Sequence, residues 1–355
     1  MSDTPFECVR VTAVHDHPKA DRLDIVKILG TQVCEQKGAF QVGDLGVYFP
    51  PDMMIPEDVA ETLGVANYLK HAVFPGHLTK SRCRIGAIRL RQIPSVGFLI
   101  KFDDLEMQEG DDFTSHFGGE KYQPPMNHMM SGDMRADTTY FPIYTNIQHY
   151  YKYGARLTPG LPVRITEKIH GTNSRVGLVD GEAMAGTHRT NRKEFNLREQ
   201  RSLYWGPMTT PMMAMLSAIH GERIQDAAFD SVTVYGEIFG SKVQPMDYGV
   251  NGTVGYRVFD ISVGGEYLDW KDVKRFCLYH GIPTVPLLYE GPFRLELLDE
   301  LMNGPTAVCG EGDIKSSFKG REGIVITPLE EQYAEELQGR LILKAVSPDY
   351  YAAMK

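Results

Sequence analysis

The chain has 355 residues, of which 42% are hydrophobic and 23% charged, and its formal net charge is −9 at pH 7. These values are typical of a globular protein with room for two domains, and the acidic balance argues against nonspecific wrapping of nucleic acid. No apolar run approaches the ~20 residues of a membrane helix, and the N-terminus has neither a basic leader nor an apolar core, so we expect no membrane partner. The five cysteines lie far apart without a CxxC pair, which favours reduced thiols in a cytoplasmic protein.

The N-terminal part of the chain, about 110 residues, predicts short strands separated by Gly, Pro and Asp. The strand-like segments are ECVRVTAV, RLDIVKIL, LGVYFP, GAIRLR and VGFLIKF. Five such strands predict a small β-barrel of the OB type. The segment VHDHPKADRLDIVKI resembles the start of OB domains that bind tRNA. Its alternative is an ordinary turn in which Pro18 and Asp21 are turn formers.

Residues 113–146 are polar and rich in Gly, Pro and Met without periodicity, and we interpret them as a linker between domains 1–112 and 147–355. Beyond the linker, strand-like segments recur with two helical stretches between them, PMMAMLSAIHGERI and DWKDVKRFCLYHG. The predicted fold class is α+β: an N-terminal five-stranded OB-type β-barrel, then a domain of antiparallel sheets with helices. The methionines of PMTTPMMAML are expected in the core.

The stretch ITEKIHGTN, residues 165–173, places a lysine between a carboxylate and an imidazole, followed by a glycine and small polar residues. A lysine attacks phosphorus only as a neutral amine, so its usual pKa of ~10.4 must be lowered by burial, nearby cations or metal. Gly171 would let the main chain approach phosphates closely. Because a lone KxxG arises by chance in most proteins, support must come from separate motifs.

Five further motifs follow in order: HRTNR, VYGEIFG, YRVFDI, REGIVI and LILK. Together with Lys168-Ile169-His170-Gly171 they resemble the motifs of covalent nucleotidyltransferases, the ligases and mRNA-capping enzymes that form lysine–NMP adducts. EKIHGTN resembles the version found in RNA ligases. The chain is most similar to ATP-dependent RNA ligases with an N-terminal OB domain, of the Deinococcus and Naegleria type. The resemblance implies an adenylyltransferase domain over 147–355, with ATP and Mg²⁺ or Mn²⁺ as cofactors.

The resemblance also implies a role for each matching residue. The expected catalytic residues are Lys168, as the nucleophile, with Glu237, Glu322 and Lys344. Glu237 and Glu322 are also the expected metal-binding residues, acting through water. The expected nucleotide-binding residues are Glu167, Ile169, His170, Gly171, Asn173, Arg189, Phe259 and Lys344. Taken singly, Glu237 also suits a turn, Phe259 a strand core and Lys344 a snorkelling cation, and Asp260 either serves the site or faces solvent.

Two positions depart from the family pattern. Ile342 stands where RNA ligases of this group often have a second lysine, and we expect Arg340 to compensate in part. His170 stands where many relatives have aspartate. Since an imidazole cannot replace a carboxylate as a ligand of a hydrated metal ion, Glu237 and Glu322 would carry more of that role.

We therefore expect an ATP-dependent RNA ligase for RNA repair, a monomer that joins 3′-OH and 5′-phosphate RNA ends, with a nicked duplex as the favoured substrate. The basic tract Lys80–Arg91 predicts RNA contacts in the first domain. The expected RNA-binding residues are Arg82, Arg84, Arg89, Arg91 and Arg192.

Two alternatives remain open. A DNA ligase or capping enzyme usually carries an OB domain after the last motif, whereas eleven residues follow Lys344 here. An inactive protein that binds tRNA or other RNA would fit the barrel motif and the basic tract, but the intact catalytic side chains argue against it.

Overall fold

The computed structural model describes residues 5–72, 82–102, 104–122, 133–250, 252–308 and 312–354. The chain forms two compact units. The first consists of residues 1–126, 148–154 and 345–355, and the second of residues 127–147 and 155–344. No helix in these described ranges is long and apolar enough to cross a membrane.

Short strands dominate the described residues up to position 153. The strands are β1 Glu7–Arg10, β2 Ala13–Asp16, β3 Leu23–Ile28, β4 Thr31–Gln36, β5 Leu45–Phe49, β6 Met53–Pro56, β7 Lys70–Ala72, β8 Arg82–Arg84, β9 Ala87–Leu90, β10 Ile93–Val96, β11 Phe98–Ile100, β12 Glu120–Lys121 and β13 Gln148–His149. The helices are α1 Glu57–Thr62 and α2 Tyr150–Tyr153. In β3, LDIVKI, burial alternates from residue to residue as the two faces of a strand require.

The first unit contains several small antiparallel sheets around an apolar core. Their strand orders are β1-β5-β11, β2-β3-β4, β10-β9 and β12-β6-β8-β7. The Phe49 ring stacks on Phe98 with centroids 4.6 Å apart, and both pack beside buried Phe6. Four cysteines are free and buried, as expected, and Cys309 lies outside the described residues.

The second half of the chain contains longer strands and the longer helices. The strands are β14 Pro162–Lys168, β15 Thr172–Val179, β16 Glu182–Thr187, β17 Asn191–Arg192, β18 Ser231–Phe239, β19 Gly255–Val263, β20 Glu266–Tyr267, β21 Leu287–Pro292, β22 Gly323–Pro328, β23 Tyr333–Ala334, β24 Gly339–Arg340 and β25 Leu343–Val346. The helices are α3 Thr210–Arg223, α4 Trp270–Tyr279, α5 Glu296–Leu301 and α6 Pro348–Ala353.

Two sheets organise the second unit. One has the order β17-β16-β15-β18-β19-β20, and the other contains β25-β22-β14-β21. Helices α3 and α4 cover the first sheet, and their apolar residues form its core. Thr209 caps α3 by accepting a hydrogen bond from the Met212 N–H. Met208, Met212 and Met215 are buried in this core, which confirms the sequence prediction for the methionine run.

The turn 169–171 joins the two sheets, because β14 ends at Lys168 and β15 begins at Thr172. Gly171 is necessary here: a Cβ at this position would lie 2.2 Å from the Ile238 carbonyl oxygen on β18. The turn is therefore held by direct main-chain contact with the strand that carries Glu237.

Candidate active site

Strand register brings three of the predicted catalytic residues together at the edge between the sheets. Lys168 pairs with Gly323 across β14 and β22, so Glu322 lies beside the lysine. The Lys168 Nζ donates a hydrogen bond of 2.6 Å to Glu322 Oε1. Glu237 lies on β18 opposite Asn173. The Lys168 side chain is 25% exposed.

The charge state of Lys168 differs from the expectation of a lowered pKa. Burial lowers its pKa, but the charges of Glu322 and Glu237 outweigh burial, and the pKa is raised above its usual value. The lysine of the nucleotide-free protein therefore holds its proton. An attack on phosphorus requires that the negative charge of Glu322, and of Glu237 where it is ionised, be offset first.

Glu237 is a partly buried carboxyl group beside this ion pair. Burial raises its pKa to about 8, while Lys168 and a hydrogen bond from the Gly171 main chain act in the opposite direction. At neutral pH Glu237 is therefore largely protonated until positive charge arrives. Such a perturbed carboxyl group beside a lysine is typical of a functional site.

The donor set suits a hydrated divalent cation. Glu237 and Glu322 supply carboxylate oxygens, and the buried Asn173 Oδ1 has no hydrogen-bond partner among the described residues. Within the described ranges no cluster of three or more His, Cys, Asp or Glu side chains forms a complete metal site. These oxygens therefore fit an Mg²⁺-type ion that keeps water and shares ligands with phosphates.

His170 approaches the same carboxylate. Its Nδ1 lies 3.8 Å from Glu322 Oε2, and burial lowers the His170 pKa below its usual value. The imidazole is therefore neutral at pH 7.

The remaining predicted nucleotide-binding residues lie at different depths. Glu167 is buried, and its carboxylate accepts hydrogen bonds from Thr306 Oγ1 and the Ala307 N–H at 2.5 and 2.6 Å. Ile169 is also buried. Phe259 on β19 is half-buried, and its ring centre lies 4.8 Å from that of Tyr144. Lys344 is half-buried on β25, the strand next to β22. Arg189 is exposed.

Asp260 is fully buried, so the alternative that it faces solvent is wrong. It accepts hydrogen bonds from Arg164 at 2.7 Å and from Arg340 at 2.9 Å, and Tyr144 donates to the same carboxylate. Burial would raise its pKa, but Arg340 and Arg164 outweigh burial and hold the Asp260 pKa below its usual value.

Arg340 does not take the place of a second lysine. Its guanidinium pairs with Asp260 and Glu331 and lies 3.7 Å from the centre of the Tyr267 ring. Ile342 is buried against Tyr144, so the position has become part of the core. The expectation of compensation by Arg340 is therefore wrong, because this cation is already bound inside the fold.

Comparisons with known proteins agree with this geometry. The family model described as RNA ligase matches residues 161–346, more than half of the chain. The chain belongs to the RNA ligase family. An OB-fold domain model matches residues 7–101, which confirms the OB-type prediction for the first unit of this RNA ligase. A search of curated proteins found no match.

Solved structures of Naegleria gruberi RNA ligase share the fold over nearly the whole chain. A mutant form with ATP and Mn is 20% identical, with 98% of both chains covered and a TM-score of 0.72. A mutant form with AMP and Mn is 19% identical, with 97% of both chains covered and a TM-score of 0.72. The form with PPi is 20% identical, with 98% of both chains covered and a TM-score of 0.71. The α+β fold class with antiparallel sheets is confirmed.

Sequence reasoning missed two side chains that hold the catalytic turn. The buried Tyr248 accepts a 2.7 Å hydrogen bond from the His170 N–H, and Gln244 Nε2 donates to the Gly171 carbonyl at 3.4 Å. Tyr248 has a φ of 50°, an unfavourable backbone conformation for a tyrosine. The local signal in the sequence is Gly249, directly after Tyr248, because glycine is common where the main chain adopts a positive φ.

Removal of the Tyr248 hydroxyl is expected to slow the chemistry of the turn. Tyr248→Phe keeps the ring on Phe239, at 5.2 Å between centroids, but leaves the His170 N–H without its acceptor. An unsatisfied buried donor costs about 1–3 kcal/mol, so we expect the rate of lysine–AMP formation to fall about tenfold. Tyr256→Phe is the matched control, because that buried hydroxyl has no hydrogen-bond partner among the described residues. Equal rates in the two variants would show that Tyr248 does not position the turn.

Stability should depend on pH through Glu237. Its pKa is about 8 in the folded protein, against a usual value of 4.5, so the folded state favours the protonated acid. The contribution of Glu237 to the free energy of unfolding is fully present below pH 4.5 and is lost as the pH rises through about 8. Without metal or nucleotide, Glu237→Gln should therefore raise the melting temperature, by more at pH 8 than at pH 5. The control is Glu296→Gln, because Glu296 is exposed. If the change in melting temperature caused by Glu237→Gln were the same at pH 5 and pH 8, Glu237 would be ionised in the folded protein at both.

The predicted RNA-binding arginines of the first unit have different surroundings. Three of the four have partners within the unit. The partners are Glu120 for Arg82, Asp52 for Arg84 and the Asp349 carbonyl for Arg89. Arg91 is exposed at the tip of the β9–β10 hairpin. Arg192, in the second unit, lies with its guanidinium 5.9 Å from the centre of the Tyr204 ring.

Proposed function

We propose that this RNA ligase uses ATP to join a 3′-OH end to a 5′-phosphate end through lysyl-AMP and adenylylated RNA. The observation that carries the proposal is Lys168, whose side chain is 25% exposed and whose amine lies 2.6 Å from Glu322 and beside Glu237. A primary amine between two carboxyl groups, beside main chain that only glycine permits, suits attack on a phosphate.

In the first step, the neutral Lys168 amine attacks the α-phosphorus of ATP. The resting ammonium first releases one proton to solvent; on attack a P–N bond forms, the bond to the pyrophosphate oxygen breaks, and a second proton leaves the nitrogen. Glu322 Oε1 is the nearest acceptor for that proton. Lys344 is proposed to contact the α-phosphate and Arg189 the neighbouring phosphates. Glu237 and Glu322 would hold a divalent metal ion through water, and the ion would supply positive charge to the phosphates and to the two carboxylates.

Phe259 is proposed to stack on adenine, and Asn173 to contact phosphate or metal-bound water. Both side chains lie on strands of the sheet that also carries Glu237, Asn173 on β15 and Phe259 on β19. ATP and Mn bound to the Naegleria gruberi enzyme support this assignment of the nucleotide.

In the later steps, AMP passes from Lys168 to the RNA 5′-phosphate, and the 3′-hydroxyl displaces it. We propose a nicked RNA duplex as the substrate, repair of broken RNA as the role, and a monomer in the cytoplasm as the working form. The exposed Arg91 and the second-unit Arg192 support phosphate contacts in these steps.

Intact-mass measurement tests the first step directly. The purified protein is incubated with ATP and Mg²⁺ or Mn²⁺, and then with pyrophosphate. We expect one added AMP, lost again with pyrophosphate, and sealing of a nicked RNA duplex by the adenylylated protein. A GMP adduct from GTP would favour a capping enzyme, and no adduct under either metal would favour an inactive RNA-binding protein.

A further inference from the structure

A loop of the second unit presents apolar side chains to solvent. This 193–202 loop follows β17, and in it Leu197 is 87% exposed and Phe195 is 52% exposed. Leu197 is more exposed than any other large apolar side chain in the described part of the chain. Exposed apolar residues that lie close together, with polar neighbours, are typical of contact surfaces.

The loop is folded by its own hydrogen bonds. The Asn196 Oδ1 accepts from the main-chain N–H groups of Arg198 and Gln200, at 2.8 and 3.0 Å. The Ser202 N–H donates to the Glu194 carbonyl at 2.7 Å. These bonds close the loop around Asn196, so the outward positions of Phe195 and Leu197 are fixed by a defined turn.

The charge around the loop suits a polyanion. The stretch from His188 to Arg201 contains five basic residues and two glutamates, in a chain of net charge −9. Glu194 is already paired with Arg201 at 3.0 Å. Exposed Lys193 and Arg198, with exposed Glu199 between Arg198 and Gln200, lie beside the apolar residues, and the two cations match the phosphates of RNA, the substrate class of the family whose model matches this unit.

The base of the loop is attached to the catalytic strand. The Tyr204 hydroxyl lies 3.0 Å from Thr172 Oγ1, at the start of β15 just after the turn that follows Lys168. The Nε1 of the buried Trp205 donates to the Arg192 carbonyl at 2.9 Å. The loop is thus tied to the strand that follows the catalytic turn, so a ligand on the loop would be bound by a segment connected to that turn.

We propose that the 193–202 loop is an RNA-contacting element of the adenylyltransferase unit. Phe195 and Leu197 pack against bases near the end to be joined, and Lys193 and Arg198 contact the adjacent phosphates. The proposal rests on the proposed ligase function and deepens it, since it assigns RNA recognition to the catalytic unit itself. Base stacking on an aromatic side chain tolerates any sequence, so the loop would recognise an end without reading it.

The test compares two reactions of a double variant, Phe195→Ser with Leu197→Ser. Lysine–AMP formation from ATP should be unchanged, whereas sealing of a nicked RNA duplex by the adenylylated protein should slow about tenfold. The matched control replaces Leu278 and Tyr279 with serine, because these side chains are 84% and 85% exposed elsewhere in the unit. The control should seal at the rate of the unchanged protein.

A second variant, Lys193→Ser with Arg198→Ser, tests the phosphate contacts. Its affinity for the nicked duplex should fall most at low salt, and the salt dependence should weaken by about one unit of slope for each phosphate that the loop no longer neutralises. Unchanged sealing and RNA affinity in both double variants would overturn the proposal and leave the loop as a surface for another partner. If the unchanged protein forms no AMP adduct, the ligase function itself fails, which is a separate outcome.

Discussion

Replacement of Lys168 by alanine is expected to abolish transfer of AMP from ATP to the protein. Lys168 is the amine at the meeting point of Glu322 and Glu237, and loss of a covalent nucleophile removes the first step rather than slowing it. The measurement is intact mass after incubation with ATP and metal. Lys274→Ala, which removes a lysine paired with Glu290, is the control and should react normally.

Arginine at position 168 should fail as completely as alanine. Its guanidinium can keep a charged partner for Glu322, so the fold is retained, but it stays protonated at any workable pH. An AMP adduct on either Lys168 variant would contradict the assignment of the nucleophile. Both variants should still bind ATP and melt near the temperature of the unchanged protein.

Asp260→Ala is expected to have the largest effect on stability. Its carboxylate is fully buried and holds two arginines, Arg164 on β14 and Arg340 on β24. Removal of one member of a buried ion cluster leaves the other charges without compensation, at a cost of about 3–5 kcal/mol. The measurement is the free energy of unfolding from denaturant titration.

The control for Asp260 is an exposed pair. Asp230 lies 2.7 Å from His220, and their side chains are 44% and 33% exposed. Because water screens such a pair, Asp230→Ala should change stability little. Equal effects of the two substitutions would mean that Asp260 is not a stabilising centre.

The sequence indicated which residues meet at the candidate site, but it did not indicate the side chains that hold the catalytic turn. The family resemblance selected Lys168, Glu237 and Glu322, and antiparallel pairing of their strands brings the three together. Tyr248 and Tyr204 come from loops whose contacts depend on the packing of distant segments. No local pattern contains that information.

The sequence also did not indicate which charged side chains are buried. Asp260 and Arg340 are typical surface residues by type, and their burial follows from each other's presence across 80 positions of the chain. The raised pKa of Lys168 has the same origin, since its sign depends on how closely two carboxylates approach the amine. The strands β4 and β16 were missed as well, because their residues give weak alternation.

The ion pair between Lys168 and Glu322 has a consequence for the enzyme between catalytic cycles. An ammonium group cannot be acylated, form imines or react with other electrophiles, so Lys168 is unreactive while no nucleotide is bound. Phosphates alone would strengthen this protonation, because they are negative, so release of the proton requires the positive charge of a metal ion that accompanies the nucleotide. The resting proton thus makes the reactivity of the amine depend on metal and nucleotide arriving together.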